Sequence, residues 1–466
     1  MSLPHGFRVG LAHDVIVDDP GRLLVGGSPL TSMRLNGSAW ARLRDGIVTV
    51  DDAISARLAD RLLATNLGLP EVNDQPPAEG GEITVVLPVR DRPAQLDRAL
   101  AALSPLRCVV VDDASRSPRA IVAVAGRHGA DLVELTSNLG PAGARNAGLA
   151  RVTTPYVAFV DSDVEVTASD LAHLTRHFAD PAVSLVGPRI AGVARSERPR
   201  WFEKYDAEAS SLTLGRTPCT VRPGAGVAWL PSACLVARTR AMGAGFDPSL
   251  RIGEDVDLVW RLVGEGHRVR YDPTVEAFHD ARTTLITWLG RKFVYGSGGA
   301  GLAERHGHKL APAVLTPTYA IAAAALLTRS RWALPAAALA GALGTRAVRR
   351  SLPATPGRTV IAARLSARGL VWAVRQEAAL MVRHWWPAAA VGATRSGAVR
   401  RALATALVVD TMAGLLEEDR KVELGAILGA VTGRRLGDLA YGAGLWWGAV
   451  EARSARVLMP RRPDRA

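Results

Sequence analysis

The chain has 466 residues, 22% charged and 48% hydrophobic, which suffices for two or three buried cores and excludes a disordered chain. Its net charge of +13 is unevenly spread: residues 1–308 carry 34 basic and 35 acidic side chains, net −1, while 309–466 carry 23 and 9, net +14. No basic stretch followed by an apolar core opens the chain, so no secretory signal is read there. The three scattered cysteines, Cys108, Cys219 and Cys234, fit neither a disulfide framework nor a zinc cluster and read as buried small hydrophobes in a reducing compartment.

Residues 1–70 read as a small α+β unit. "FRVGLAHDVIV" and "RLLVGGSPLTSMRL" have the apolar runs of strands broken by Gly-Gly and Ser-Pro. "SAWARLRDG" and "VDDAISARLADRLLATNLG" read as helices, the second with Ile54, Leu58, Leu62 and Leu63 on one face and Gly68 as its stop. Residues 71–81, "EVNDQPPAEGG", have almost nothing to bury and read as a linker.

From 82 to 310 strands and helices alternate. "ITVVLPV" and "RCVVVDD" are β-branched runs, and "PAQLDRALAAL" between them puts Leu96, Leu100 and Leu103 on one helical side. That order predicts a βαβ unit and a parallel sheet covered on both faces, with "YVAFVDSD" as a later strand.

Residues 311–466 read as a helical, apolar, basic region holding six of the eleven tryptophans. A run of 18 residues at 310–327 and one of 14 at 332–345 carry no charge. As helices they would be about 27 and 21 Å long, so the first barely reaches across a hydrocarbon core and the second falls short. Spanning, lying in the interface and forming an Ala-rich soluble bundle all stay open. The combination of arginine, tryptophan and apolar runs points to membrane association, at the cytoplasmic face, rather than to nucleic acid, for which no motif is present.

Four acidic signals fall at or near strand ends of the α/β region, where ligands of such sheets collect. They are Asp112-Asp113, the pair Asp161 and Asp163 around Ser162, Glu254-Asp255 at a helix start, and Asp280 beside His279. Any one alone also reads as a helix cap or a turn. Two carboxylates driven out of a buried strand at Asp161 and Asp163 ask for a counter-charge, and a divalent cation is one. Between these acids lies "NLGPAGARNAGLA", whose Gly140, Gly143 and Gly148 allow tight turns and close backbone approach, while Arg145 and Asn146 sit at a predicted helix start suited to anions.

In this order the acids resemble the family 2 glycosyltransferases of the GT-A fold. The stretches are "VVLPVRDRPAQLDRAL", "VVVDDAS", "NLGPAGARNAGL", "FVDSD" and "GEDVDLVWRL", over about 225 residues. The resemblance implies a Rossmann-like nucleotide-sugar-binding core at 82–310. It implies donor contacts from Pro88, Arg92, Asp112, Asp113, Gly140, Arg145, Asn146, Asp161 and Ser162. A manganese or magnesium ion would be held by Asp161, Asp163 and His279, and Asp255, helped by Glu254, would be the base of an inverting transfer. A position near a helix N-terminus is expected to keep Asp255 ionised. Arg291, Lys292 and Tyr295 in "RKFVYGSGG" would clamp phosphate or acceptor, or form a solvated basic helix face.

Four further stretches, "LLVGGSPLTSMRL", "GEDVDLVWRL", "HDARTTLITWLGRKFVYG" and "GDLAYGAGLWWGAVEAR", resemble the glycosyltransferases of mycofactocin biosynthesis over nearly the whole chain. This implies UDP-glucose as donor, the peptide-derived redox cofactor mycofactocin or its precursor as acceptor, and a β-1,4-linked oligosaccharide as product. The first 70 residues would then resemble the winged-helix-like peptide-recognition domains of modified-peptide pathways, which add a leader peptide to a strand edge. The alternatives are a membrane glycosyltransferase acting on a lipid or polysaccharide, and a non-catalytic nucleotide-sugar or peptide scaffold.

Overall fold

A computed structural model describes residues 2–417 and 424–463, whose packing separates two compact units. The first comprises Met1–Val17, Arg22–Pro199 and Asp206–Ala281; the second comprises Asp18–Gly21, Arg200–Tyr205 and Arg282–Ala466. The first unit thus ends at Ala281, whereas the expected catalytic domain runs to 310.

The N-terminal residues form seven short strands: β1 (Arg8–Leu11), β2 (Ile16–Asp18), β3 (Leu23–Gly26), β4 (Thr31–Arg34), β5 (Leu43–Arg44), β6 (Ile47–Thr49) and β7 (Gly68–Pro70). They make a four-stranded sheet in the order β5-β6-β1-β7 and a three-stranded sheet in the order β2-β3-β4. The helix expected over "SAWARLRDG" is only one turn, α1 (Gly37–Trp40). Asp45 and Gly46 both take positive φ, 50° and 77°, and this pair folds the following residues into the β5-β6 hairpin. The second helix, α2 (Ala53–Thr65), has a capping box: Asp52 Oδ1 accepts the N–H groups of Ile54 and Ser55, and Ser55 Oγ accepts that of Asp52. It ends at a left-handed Asn66 rather than at Gly68, which lies in β7. Leu58, Leu62 and Leu63 are buried as their spacing predicts, each contributing about 1.5–3 kcal/mol.

The α/β region begins with β8 (Ile83–Val89), α3 (Pro93–Leu103), β9 (Arg107–Asp112), α4 (Pro118–Arg127), β10 (Asp131–Glu134), α5 (Gly140–Leu149) and β11 (Tyr156–Val160). Strands β10, β9, β8 and β11 are parallel, as expected. The chain continues through β12 (Val164–Glu165), α6 (Ala168–Thr175), β13 (Val183–Val193), α7 (Trp201–Glu208), β14 (Cys219–Val221), β15 (Cys234–Arg238), α8 (Glu254–Gly264) and β16 (Arg268–Asp280). Here the expectation of a parallel sheet fails. Strand β15 inserts antiparallel between β11 and β13, and β12 and β14 pair antiparallel with β16, giving a mixed nine-stranded sheet. A continuous apolar strand reads the same in either direction, so composition does not fix its polarity. Gly148 lets α5 lie flat on the sheet, since a Cβ there would come within 2.3 Å of Val86.

The N-terminal strands and this sheet belong to one unit. Asn66 accepts the N–H of Thr220 (2.6 Å) and donates to its carbonyl (3.0 Å), and Thr220 Oγ1 donates to Leu63 O (2.7 Å). The buried Arg268 pairs with Asp60 of α2 and with Asp180. The three cysteines are free and buried, and burial raises all three thiols.

The second unit is helical, as expected for 311–466: α9 (Leu285–Ser297), α10 (Gly299–His306), α11 (Pro317–Leu327), α12 (Ala333–Ser351), α13 (Arg358–Ala379), α14 (Trp386–Arg395), α15 (Gly397–Glu417) and α16 (Leu424–Glu451). The uncharged run at 310–327 does not form one helix of about 27 Å. Pro317, which lacks an N–H, starts α11 there and leaves 11 helical residues, about 16 Å. Among the described residues no helix is long and apolar enough to cross a membrane. Helices α9 and α16 cross at glycines: a Cβ on Gly444 would lie 1.9 Å from Phe293 O. Asp410 of α15 is buried and holds α16 through Arg434 (2.9 Å) and Arg435.

Candidate active site

At the carboxyl edge of β9, Asp112 and Asp113 are 1% and 6% exposed, so each needs partners. Asp112 Oδ1 accepts the N–H of Ser115 (3.0 Å). Asp113 accepts the N–H groups of Leu139 (2.7 Å) and Gly140 (3.0 Å), so its charge sits at the N-terminus of α5. Gly140 takes φ +76° to begin that helix. Pro88 lies on β8 opposite Val111.

Arg145 is not at the helix start, as the sequence suggested, but in the middle of α5, with its side chain 3% exposed. Nη2 lies 2.6 Å from Asp161 Oδ1, Nη1 lies 3.0 Å from Glu254 Oε1, and the guanidinium stacks 5.3 Å from the centre of the Phe246 ring. Its two carboxylates raise its pKa against the opposing effect of burial. It is therefore a strut between two expected site carboxylates. Asn146 likewise turns to the backbone of Phe246, accepting its N–H (2.9 Å) and donating to its carbonyl (2.7 Å). The positions expected to meet the donor's anion are thus occupied in holding the site together.

Beyond β11 the chain turns sharply: Asp161 N–H donates to Ala233 O and Val164 N–H to Asp161 O, each at 2.9 Å. Ser162 is buried in this turn. Strand β12 then pairs Val164 with His279 of β16, which brings His279 beside Asp163, Nε2 to Oδ2 3.5 Å. Arg92, at the start of α3, also pairs with Asp163. Two carboxylates and an imidazole, brought together, would be an oxygen-rich donor set suited to manganese or magnesium. Asp163 and His279 stand at a spacing two ligands of one cation can share. Asp161, the third expected ligand, is directed to Arg145 instead. Among the described residues no three His, Cys, Asp or Glu side chains are gathered tightly enough to hold a metal ion.

Asp255, second residue of α8, is partly buried. Its Oδ1 accepts the N–H of Val256 (2.8 Å) and its Oδ2 that of Ser232 (3.3 Å). Burial, with the Glu254 carboxylate second, pushes its pKa up to about 7, more than its two N–H donors and Arg145 lower it. The helix N-terminus, expected to keep it ionised, is opposed here by a larger desolvation effect.

Sequence reasoning missed an ion-pair ring behind Asp163 and His279. Arg98 of α3 meets Glu165 of β12 (2.8 Å) and Asp280 of β16 (2.6 Å), and Arg195 meets the same two acids, at 2.7 Å on Asp280. It ties β12, β16 and α3 at the point where His279 faces Asp163. Asp280 was visible as an acid beside His279, but its partners lie 182 and 85 positions away. Arg291, Lys292 and Tyr295 lie on α9 of the second unit, where Arg291 packs over the Tyr295 ring and Lys292 over that of Trp288.

The profile of glycosyl transferase family 2 matches residues 84–225. The chain is 38% identical over 467 residues to the pre-mycofactocin glycosyltransferase of Mycobacterium tuberculosis, covering 98% of each protein. It is 37% identical over 136 residues to an uncharacterized glycosyltransferase of Mycobacterium bovis, covering 29% of this chain and 60% of that one. Among solved structures, a mannosyltransferase from Pyrobaculum calidifontis in complex with GDP-Man and Mn2+ aligns at 17% identity and a TM-score of 0.41, over 81% of this chain and 89% of that one.

Proposed function

The chain belongs to the same family as the pre-mycofactocin glycosyltransferases, within glycosyl transferase family 2, and we propose that it moves glucose from UDP-glucose onto mycofactocin or its peptide-derived precursor, with inversion and in repeated β-1,4 steps. The observation that carries the reading is the run of contacts from Asp161 through buried Arg145 to Glu254, next in sequence to Asp255. One guanidinium thereby fixes a donor-side carboxylate relative to a base.

In this reading Asp255 takes the proton of the acceptor hydroxyl. A carboxyl with a pKa of about 7 is half ionised at neutral pH and is a far stronger base than one at 3.8. Displacement by the activated hydroxyl in a single step inverts the anomeric centre. Asp112 keeps an unfilled acceptor oxygen for the uridine, and Arg92 offers a guanidinium to the diphosphate. Asp163 and His279 would hold manganese or magnesium, with Asp161 kept on Arg145 at the edge of the site; the ion when bound supplies positive charge to the departing diphosphate.

For the N-terminal strands we propose peptide recognition at the edge strand β4, where Ser32 and Arg34 are exposed and Met33 points inward. The test is incubation with a panel of UDP-sugars, the peptide-derived acceptor and Mn2+ or Mg2+, with products read by mass. Transfer of hexose from UDP-glucose to that acceptor is expected. Transfer only to a lipid or polysaccharide would overturn the acceptor, and no transfer at all would favour a scaffold.

A further inference from the structure

Between Glu304 and Glu377 the sequence has no acidic residue for 72 positions, yet it carries nine arginines from Arg329 to Arg375. This stretch contains α11, α12 and α13, which pack on one another. Their inner faces are apolar and buried at Ala322, Ala323, Leu327, Ala340, Ile361, Ala362 and Ala373. Their outer faces are not the polar surface that a solvated bundle presents. On α12, Leu339, Leu343, Arg346 and Arg350 follow at steps of three and four, which puts them on one side of the helix, and all are exposed. On α13, Val360, Arg364, Arg368 and Trp372 do the same, with Val371 beside them. Leu334 is 78% exposed, Trp332 62% and Trp372 56%. Arg331 and Arg375 lie over the Trp332 and Trp372 rings, at 5.5 and 5.2 Å. Among the described residues Arg346, Arg349, Arg350, Arg364 and Arg368 have no carboxylate partner.

We propose that the outer faces of α12 and α13 form a docking surface for an anionic lipid bilayer, on which the protein lies peripherally. Three observations select this occupant. Exposed leucine, valine and tryptophan between the arginines suit the boundary of headgroups and acyl chains, which takes apolar side chains and binds cations through lipid phosphates and carboxylates. A second copy of the chain is disfavoured, because two acid-free arginine faces repel each other. A nucleic acid would use the arginines but leave the exposed aliphatic side chains unaccounted for. Among the described residues no helix is long and apolar enough to cross a membrane, and this surface requires none that does. The inference is independent of the donor, acceptor and base proposed above.

The experiment is sedimentation of the full chain with vesicles of phosphatidylcholine alone or mixed with phosphatidylglycerol, at low and high salt. Binding is expected to the anionic vesicles only, and to weaken with salt. At about five-fold per arginine, changing Arg346, Arg349, Arg364 and Arg368 together to Gln should lower binding several hundredfold. Leu339→Asp with Trp372→Ala should also lower it, while transfer to a soluble acceptor stays as in the unsubstituted chain. Because these positions are exposed, circular dichroism and melting should be unchanged. Absence of vesicle binding, equal binding to neutral vesicles, or indifference to the arginine changes would each overturn the proposal. So would RNA binding that survives the Leu339 and Trp372 changes and exceeds vesicle binding.

Discussion

Replacing Asp255 by Asn should remove activity and, at alkaline pH, add stability. The unfolded carboxyl ionises near its ordinary value of 3.8, while the folded one keeps its proton to about 7. Over that window the folded protein binds more protons, so wild-type stability falls as pH rises from about 4 to 7 and is level above. At 1.36 kcal/mol per pH unit the full span is roughly 4 kcal/mol, and water reaching this partly buried group reduces it to about 2 kcal/mol. Asn has no charge to bury and escapes that loss. Against this, its NH2 group would face the N–H of Ser232, in place of an accepting oxygen, at a cost of about 1 kcal/mol. The variant is therefore expected to be about 1 kcal/mol more stable than wild type at pH 8, roughly 2–4 °C in the melting of the first unit, and less stable by a similar amount at pH 4. Turnover should fall about 10²-fold or more. Thermal melts of both proteins from pH 4 to 8, alongside product formation, read this out. The reasoning is refuted if Asp255→Asn loses equal stability at both ends of that range, or if it keeps its turnover.

Wild-type kcat/KM should rise with pH through an inflection near 7, and Glu254→Gln should move that inflection lower without returning it to 3.8, since burial remains the larger cause; an unmoved pH profile would separate Glu254 from the base. Arg145→Ala leaves two carboxylates without their shared guanidinium and should cost about 3–5 kcal/mol in denaturant unfolding, and Arg145→Lys should not restore it, because one ammonium cannot bridge both acids. His279→Ala and Asp163→Ala should each weaken Mn2+ binding in calorimetry, and wild-type activity that persists in excess chelator would count against a metal at this edge. Ser32→Pro, on the edge strand β4, should raise KM for peptide-linked acceptors and leave small acceptors alone; equal effects on both would remove the strand-addition idea.

The sequence alone determined the parts of the molecule that depend on local pattern. The β-branched runs at 83–89 and 107–112 became adjacent parallel strands, the leucines of α3 turned inward, and the acids stood at strand ends. What it could not determine were matters of long-range pairing. The direction of β15 was invisible because a buried strand is apolar on both faces whichever way it runs. Pro317 shortened a helix that hydropathy drew as longer. The role of Arg145 passed from anion contact to strut because residues 16 and 109 positions away close around it. Above all, the proton affinity of Asp255 is a property of its surroundings. Its place at a helix start predicted an ordinary acid, and only the tertiary fold, by withdrawing water, raises its proton affinity so far, with the neighbouring Glu254 carboxylate adding to the rise.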